Sequence, residues 1–280
     1  IIVYVRDPYE AMCSRLQDVI TNGVKRPLAK LSPEHSRIHK ASIMIEAFKN
    51  VFPDTEFYSF DESLQQGGPV NKFFNILGIS DLNDLNEYRN NKGLSNKLAR
   101  LGEYINNIEP FRVNDKTNPF RSYFRLKDLE FGNDKFYLTK QEALRFIDFI
   151  SSEKQKIKSM TGIEFNAEMR FSGDPGLTLE EVETVIEKSV GMNAWMKILI
   201  WEYIEANSDA SRNEKKRFFS SDDDLMDADI LRDTAIMWEK KDLDRAYQFM
   251  KLAKLIRPDG VRINEKLDEY RKKLKISDTD

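Results

Sequence analysis

Hydrophobic positions along the chain fall into two recurring patterns. Residues 1–6 are a continuous, largely β-branched apolar run, the pattern of a strand buried on both faces. Asp7-Pro8 then turns the chain, and Pro suits a first helical position because it has no N–H to leave unpaired there. The spacing predicts a helix over 9–20, ended by Asn22-Gly23. Ser32-Pro33-Glu34 opens a second predicted helix, with Ile38, Ile43, Ile45, Phe48 and Val51 at roughly helical spacing until Phe52-Pro53-Asp54 breaks it. Residues 55–60 are a second strand, so strand, helix and strand predict a parallel, right-handed crossover. Gly68-Pro69 begins a further helix over 70–77, closed by Gly78, and the whole reads as an α/β layered core.

Helical spacing returns over 94–108, whereas 109–134 is irregular and interrupted by Pro110 and Pro119. Thr139 with Glu142 three residues later is a capping-box signature for one helix reaching Thr161-Gly162. Ser172-Gly173-Asp174-Pro175-Gly176 is the clearest linker. It divides an α/β domain, residues 1–170, from a helical tail, residues 176–280, whose interruption is a charged loop over 207–224. Residues 194–203 are the most apolar stretch, too short to cross a membrane and carrying Lys197 and Glu202, so they predict a buried helix. In the tail, a hairpin at about 228–258 resembles one tetratricopeptide unit. Ala246, Met250 and Ala253 take its packing positions, Asp242 its turn and Pro258 its last position. Asp233 and Thr234 stand where Leu and Gly are usual, and one unit makes no solenoid, so an ordinary helix pair is the plainer reading.

Composition narrows the function classes. Forty per cent of the 280 residues are hydrophobic and 32% charged, with a formal net charge of −3. Such a chain folds, and it has no global basic field to attract nucleic acid or anionic lipid. Any anion must be held locally. One cysteine, Cys13, excludes an internal disulfide and suggests a reducing, cytoplasmic compartment. The first residue lies inside an apolar run with no capping residue before it, so the expectation is that further sequence precedes Ile1.

The local chemistry centres on Arg6 and Ser14. Arg6 closes the first strand, at the edge where open α/β sheets bind ligands. Its guanidinium fork matches a phosphate, Ser14 adds a hydroxyl from the next helix, and the first N–H groups of that helix favour an anion. The plainer reading pairs Arg6 with a nearby carboxylate and leaves Ser14 as a routine helical residue. Val3-Tyr4-Val5-Arg6-Asp7-Pro8-Tyr9, with Ser14 five residues on, resembles the 3′-phosphate-binding segment of sulfotransferases that use 3′-phosphoadenosine 5′-phosphosulfate. Phe48-Lys49-Asn50-Val51-Phe52-Pro53, then residues 57–64, are similar to that family's helix, Phe-Pro break and strand ending in an acidic-Leu step. Phe73 to Ile79, ending in Leu-Gly-Ile, and Asn91-Lys92-Gly93-Leu94-Ser95 continue the resemblance in order, which covers residues 1 to about 165.

The resemblance implies a P-loop-type parallel-sheet core, incomplete at its N-terminus, followed by the helical tail. It implies Arg6 and Ser14 as the cofactor-binding residues, 3′-phosphoadenosine 5′-phosphosulfate as donor, no metal, and sulfuryl transfer to a hydroxyl or amine acceptor, carbohydrates included. The family's Gly- and Lys-containing loop for the phosphosulfate is absent and would lie upstream of residue 1. No residue matches its catalytic base, and its C-terminal Arg-Lys-Gly segment is missing. The alternative is an inactive, sulfotransferase-like nucleotide-binding or scaffold protein whose tail contacts a protein partner or a second copy. A kinase of the same fold group would need an ATP-type loop upstream. Other residues read as structural. His35 and His39 lack a third ligand at metal spacing. Cys13 is a small core residue. Arg112, Arg121 and Arg125, with Phe111, Phe120 and Phe124, form a basic-aromatic stretch that lines a cleft or packs on itself. Asp222-Asp223-Asp224 is a solvated loop.

Overall fold

The computed structural model describes all residues except 26, 34–39, 80–92, 114–115, 119–120, 122–125, 130, 174–175, 190–191, 193, 221–227 and 277–280. Strand β1 (Ile2–Val5) runs parallel to β2 (Glu56–Ser59), with Val3 opposite Phe57 and Val5 opposite Ser59. Helices α1 (Pro8–Thr21) and α2 (Ala41–Val51) lie between them in sequence. Asp7 caps α1, its Oδ1 accepting from Tyr9 N at 2.8 Å, and Gly23 takes a φ of +69° just past the end. Only Val5 of β1 is buried, not the whole run as expected. Among the described residues the sheet has two strands, so each strand has one neighbour and part of its surface stays open.

Phe60 leaves β2 directly into α3 (Phe60–Gln65), capped by Ser59 Oγ accepting from Glu62 N at 3.2 Å. Helix α4 (Pro69–Ile76) follows Gly68, which has a φ of +101°. The first turns of the helix expected from Ser32-Pro33-Glu34, residues 34–39, lie outside the described residues, and helix α2 begins at Ala41. Ser42 fixes that end, its N and Oγ donating to the buried Glu153 carboxylate at 3.2 and 2.9 Å. The single helix expected after Thr139 is two, α6 (Lys140–Leu144) and α7 (Ile147–Thr161). The capping box forms as Thr139 and Glu142 predict, and the chain breaks at Arg145-Phe146, where Phe146 is fully buried and the Arg145 guanidinium donates to Leu28 O and Ala29 O. Val5, Ile45 and Ile157 form the core between β1, α2 and α7, with Val3, Phe57 and Met160 packed on it.

The chain divides into two compact units. The first holds Ile1–Asn22, Arg26–Ala99 and Asn133–Asp174; the second holds Gly23–Lys25, Arg100–Gly132 and Pro175–Asp280. Residues 100–132 therefore group with the tail rather than with the α/β domain of residues 1–170. The second unit comprises most of α5 (Asn96–Ile108), the short pair β3 (Arg112–Val113) and β4 (Lys116–Thr117), and helices α8 (Leu179–Lys188), α9 (Ala194–Asn207), α10 (Arg212–Ser220), α11 (Ala228–Trp238), α12 (Leu243–Ile256) and α13 (Val261–Leu274). A buried carboxylate links these parts of the second unit. Glu109 accepts from Trp195 Nε1 at 2.7 Å and also from Arg245 and Asn118 side chains.

Helix α9 is buried on nearly every side, as its apolar run predicts, and even Lys197 is enclosed, donating to Phe218 O at 3.2 Å. The charged loop expected over 207–224 is instead helical over α10, which Phe218 and Phe219 anchor against Trp201. Helices α11 and α12 pack as a pair, with Asp242 capping α12 and Ala246, Met250 and Ala253 fully buried. Among the described residues no helix is long and apolar enough to cross a membrane.

Candidate functional site

At the C-terminal end of the β1–β2 pair the first unit holds a cleft of about 480 Å³. Three elements meet there because the parallel crossover brings the start of α1 beside the start of α3, and residues 164–170 pass along the opening. Arg6 lines it. Its guanidinium lies over the Phe60 ring at 5.6 Å, and its Nη2 stands 3.6 Å from Glu10 Oε2. That separation is an ion pair without a hydrogen bond. Arg6 Nε is buried and has no hydrogen-bond partner among the described residues. Glu10 is held more firmly by Lys135 Nζ at 2.6 Å.

The backbone around Arg6 is fixed by Asp7. Besides capping α1, Asp7 accepts from Lys154 Nζ at 2.8 Å through Oδ2, and its own N–H donates to Asp61 Oδ2 at 2.8 Å. These contacts correct one expectation. The first free N–H groups of α1, at Tyr9 and Glu10, already donate to Asp7, so the helix end is not open to an anion. Ser14 sits one turn beyond Glu10 on the same helix face, half-buried, and is not among the residues lining the cleft.

Two tyrosines also line the cleft. Tyr9 and Tyr137 stack with ring centroids 6.3 Å apart, and Tyr9 Oη donates to Arg170 O at 2.6 Å. Burial drives the Tyr9 hydroxyl far above its ordinary pKa, with the neighbouring Cys13 adding to the effect, so it serves as a hydrogen-bond donor and not as a base. Cys13 is buried and its thiol is pushed up to about 11 by burial, which removes it as a nucleophile near neutral pH. Six carboxylates line the cleft, at Asp7, Glu10, Asp61, Glu62, Glu164 and Glu168, against the cations Arg6, Lys135 and Arg170. An incoming anion must therefore take Arg6 and Lys135 away from Glu10.

Lys135, Tyr137 and residues 164–170 escape sequence reasoning because they reach the site from more than 120 positions away, through irregular chain with no periodicity. Of the other candidates, Arg112 is exposed on β3. Arg121 is buried and donates to Asn106 Oδ1 at 2.7 Å, and burial lowers its pKa to about 10 against the opposing pull of Glu109. Both belong to the second unit. His35, His39, Phe120, Phe124, Arg125 and Asp222–Asp224 lie outside the described residues. The chain matches no protein-family model, no curated protein and no solved structure.

Proposed function

We propose that the first unit grips the 3′-phosphate of an adenosine bisphosphate through Arg6, as part of a sulfotransferase using 3′-phosphoadenosine 5′-phosphosulfate; Ser14, the second donor that the resemblance implies, lies outside the cleft lining. The observation that carries this reading is the state of Arg6. A guanidinium ends a parallel strand in a cleft, with a long ion pair and an unpartnered buried Nε. Charge-assisted, forked hydrogen bonds to a phosphate would satisfy it better than Glu10 does. In the transfer itself, an acceptor oxygen or nitrogen forms a bond to sulfur as the bond from sulfur to the phosphate oxygen breaks. Adenosine 3′,5′-bisphosphate leaves, and the acceptor's proton passes to a base. The residues named here contribute binding and orientation of the donor, not the base.

Calorimetric titration of the chain with adenosine 3′,5′-bisphosphate and with adenosine 5′-monophosphate tests the reading. Saturable binding of the bisphosphate, with much weaker binding of the monophosphate, is the expected outcome; equal affinities would remove the 3′-phosphate from the account. The carboxylate-rich lining favours a second reading, a scaffold protein without transferase activity that uses the helical unit to contact a partner. Under that reading neither nucleotide binds.

A further inference from the structure

The second unit contains a cleft of its own, about 480 Å³ in volume, enclosed by α9, α10, α12 and α13. Its size is that of a small-molecule site. Its floor is apolar and aromatic, formed by Ile198, Trp201, Phe219, Leu252, Leu255 and Leu267. Its rim is cationic, with Arg212, Lys215, Lys251, Lys254 and Arg271 set against two carboxylates, Glu202 and Glu205.

The rim charges are unequally occupied. Lys215 pairs with Glu205 at 2.8 Å, and Arg271 pairs with Asp268 at 3.5 Å. Arg212 and Lys254 form no ion pair among the described residues, and Lys251 lies over the Tyr247 ring at 5.5 Å. Below them Trp201 is 2% exposed, and its indole N–H is buried without a hydrogen-bond partner among the described residues. A buried donor without an acceptor is costly and uncommon in folded proteins. Burial raises the Glu202 carboxyl above the ordinary range, against the hydrogen bond from Tyr104.

An apolar floor beneath Arg212 and Lys254, which lack an ion pair among the described residues, and Lys251 beside them suits one ligand class better than others. A nucleotide would place polar sugar and base edges against Leu and Ile side chains. A free inorganic anion would leave the floor uncovered. We propose that this cleft binds an amphipathic monoanion, an alkyl chain ending in a single carboxylate, sulfate or sulfonate head. The chain lies on the leucine-rich floor and the head takes Arg212, Lys251 and Lys254. The proposal concerns residues of the second unit alone, so its outcome is separate from that of the nucleotide reading.

Calorimetric titrations of the full chain with octanoate, decanoate, acetate and decylamine, all below micellar concentrations, test it. Each methylene laid on an apolar floor contributes about fourfold in affinity, so decanoate should bind at one site roughly tenfold or more tightly than octanoate. Acetate, a head without a chain, and decylamine, a chain with the opposite charge, should not bind. Lys254→Glu should weaken decanoate about tenfold, the scale of one lost hydrogen bond to a charged group. Arg212→Glu, on a different helix, should do the same. Lys240→Glu makes the same charge change at an exposed site outside the cleft and should have no effect. The proposal is overturned if decanoate does not saturate, if decylamine binds as tightly, or if both cleft variants behave like Lys240→Glu.

Discussion

Two groups contact the Arg6 guanidinium and a third acts on it through Glu10, and each limits what a phosphate would meet. The Phe60 ring holds its face, Glu10 competes for its edge, and Lys135 competes in turn for Glu10. Glu10 is therefore shared by two cations, and removing its charge releases both. Glu10→Gln should raise the affinity for adenosine 3′,5′-bisphosphate about two- to fivefold, the equivalent of ~0.5–1 kcal/mol for a partly exposed ion pair. Calorimetry of that variant checks it, and a fall in affinity would mean that Glu10 positions Arg6 rather than obstructing it. Cys13, one residue before Ser14, has the opposite character. Burial pushes its thiol up to about 11, so the thiolate is scarce at pH 8. Alkylation by iodoacetamide should be slow in the folded chain, accelerate as pH climbs toward 11, and become fast in urea. Rapid labelling at pH 8 without denaturant would contradict the burial.

Among the elements, those set by local chemistry were the legible ones. The β-branched run before Asp7-Pro8 predicts β1 and α1, and the Thr139–Glu142 spacing predicts the start of α6, because cap and turn residues act within a few positions. What the sequence hid was decided from far away. The start of α2 at Ala41 is fixed by Glu153, whose carboxylate accepts from Ser42 from 111 residues along the chain. The arginine- and lysine-rich composition of 212–217 disguised α10, whose support comes from Phe218 and Phe219 packing on Trp201. The same distance conceals the candidate site: Arg6 was visible at a strand end, whereas Lys135 and Tyr137 carry no signal until the chain folds. If α10 depends on those aromatic contacts, Phe218→Ala should lower global stability by about 3–5 kcal/mol, measurable by urea denaturation. A loss below ~1 kcal/mol would show that α10 forms without its anchor.

For the whole molecule, the division into two units does not follow the order of the chain. Residues 100–132 leave the first unit, join the helical one and return at Asn133. The Glu109 carboxylate ties this excursion to the tail through Trp195 and Arg245, one partner from α9 and one from α12. Both Glu109 and Arg245 are largely buried, and removing one member of such a pair leaves a desolvated charge behind. Glu109→Ala should therefore destabilise the chain by about 3–5 kcal/mol in denaturant titrations, although it lies far from Arg6 in sequence. A change within experimental error would mean that the excursion is held by its apolar contacts alone.

The central claim is that Arg6 exists to meet a 3′-phosphate, and its most direct test is one pair of calorimetric titrations with adenosine 3′,5′-bisphosphate, on the unaltered chain and on Arg6→Ala. The account predicts saturable binding to the first and a loss of about 1.5–3 kcal/mol in the second, the scale of a hydrogen bond to a charged group. Equal affinities in the two proteins, or no binding to either, would contradict it.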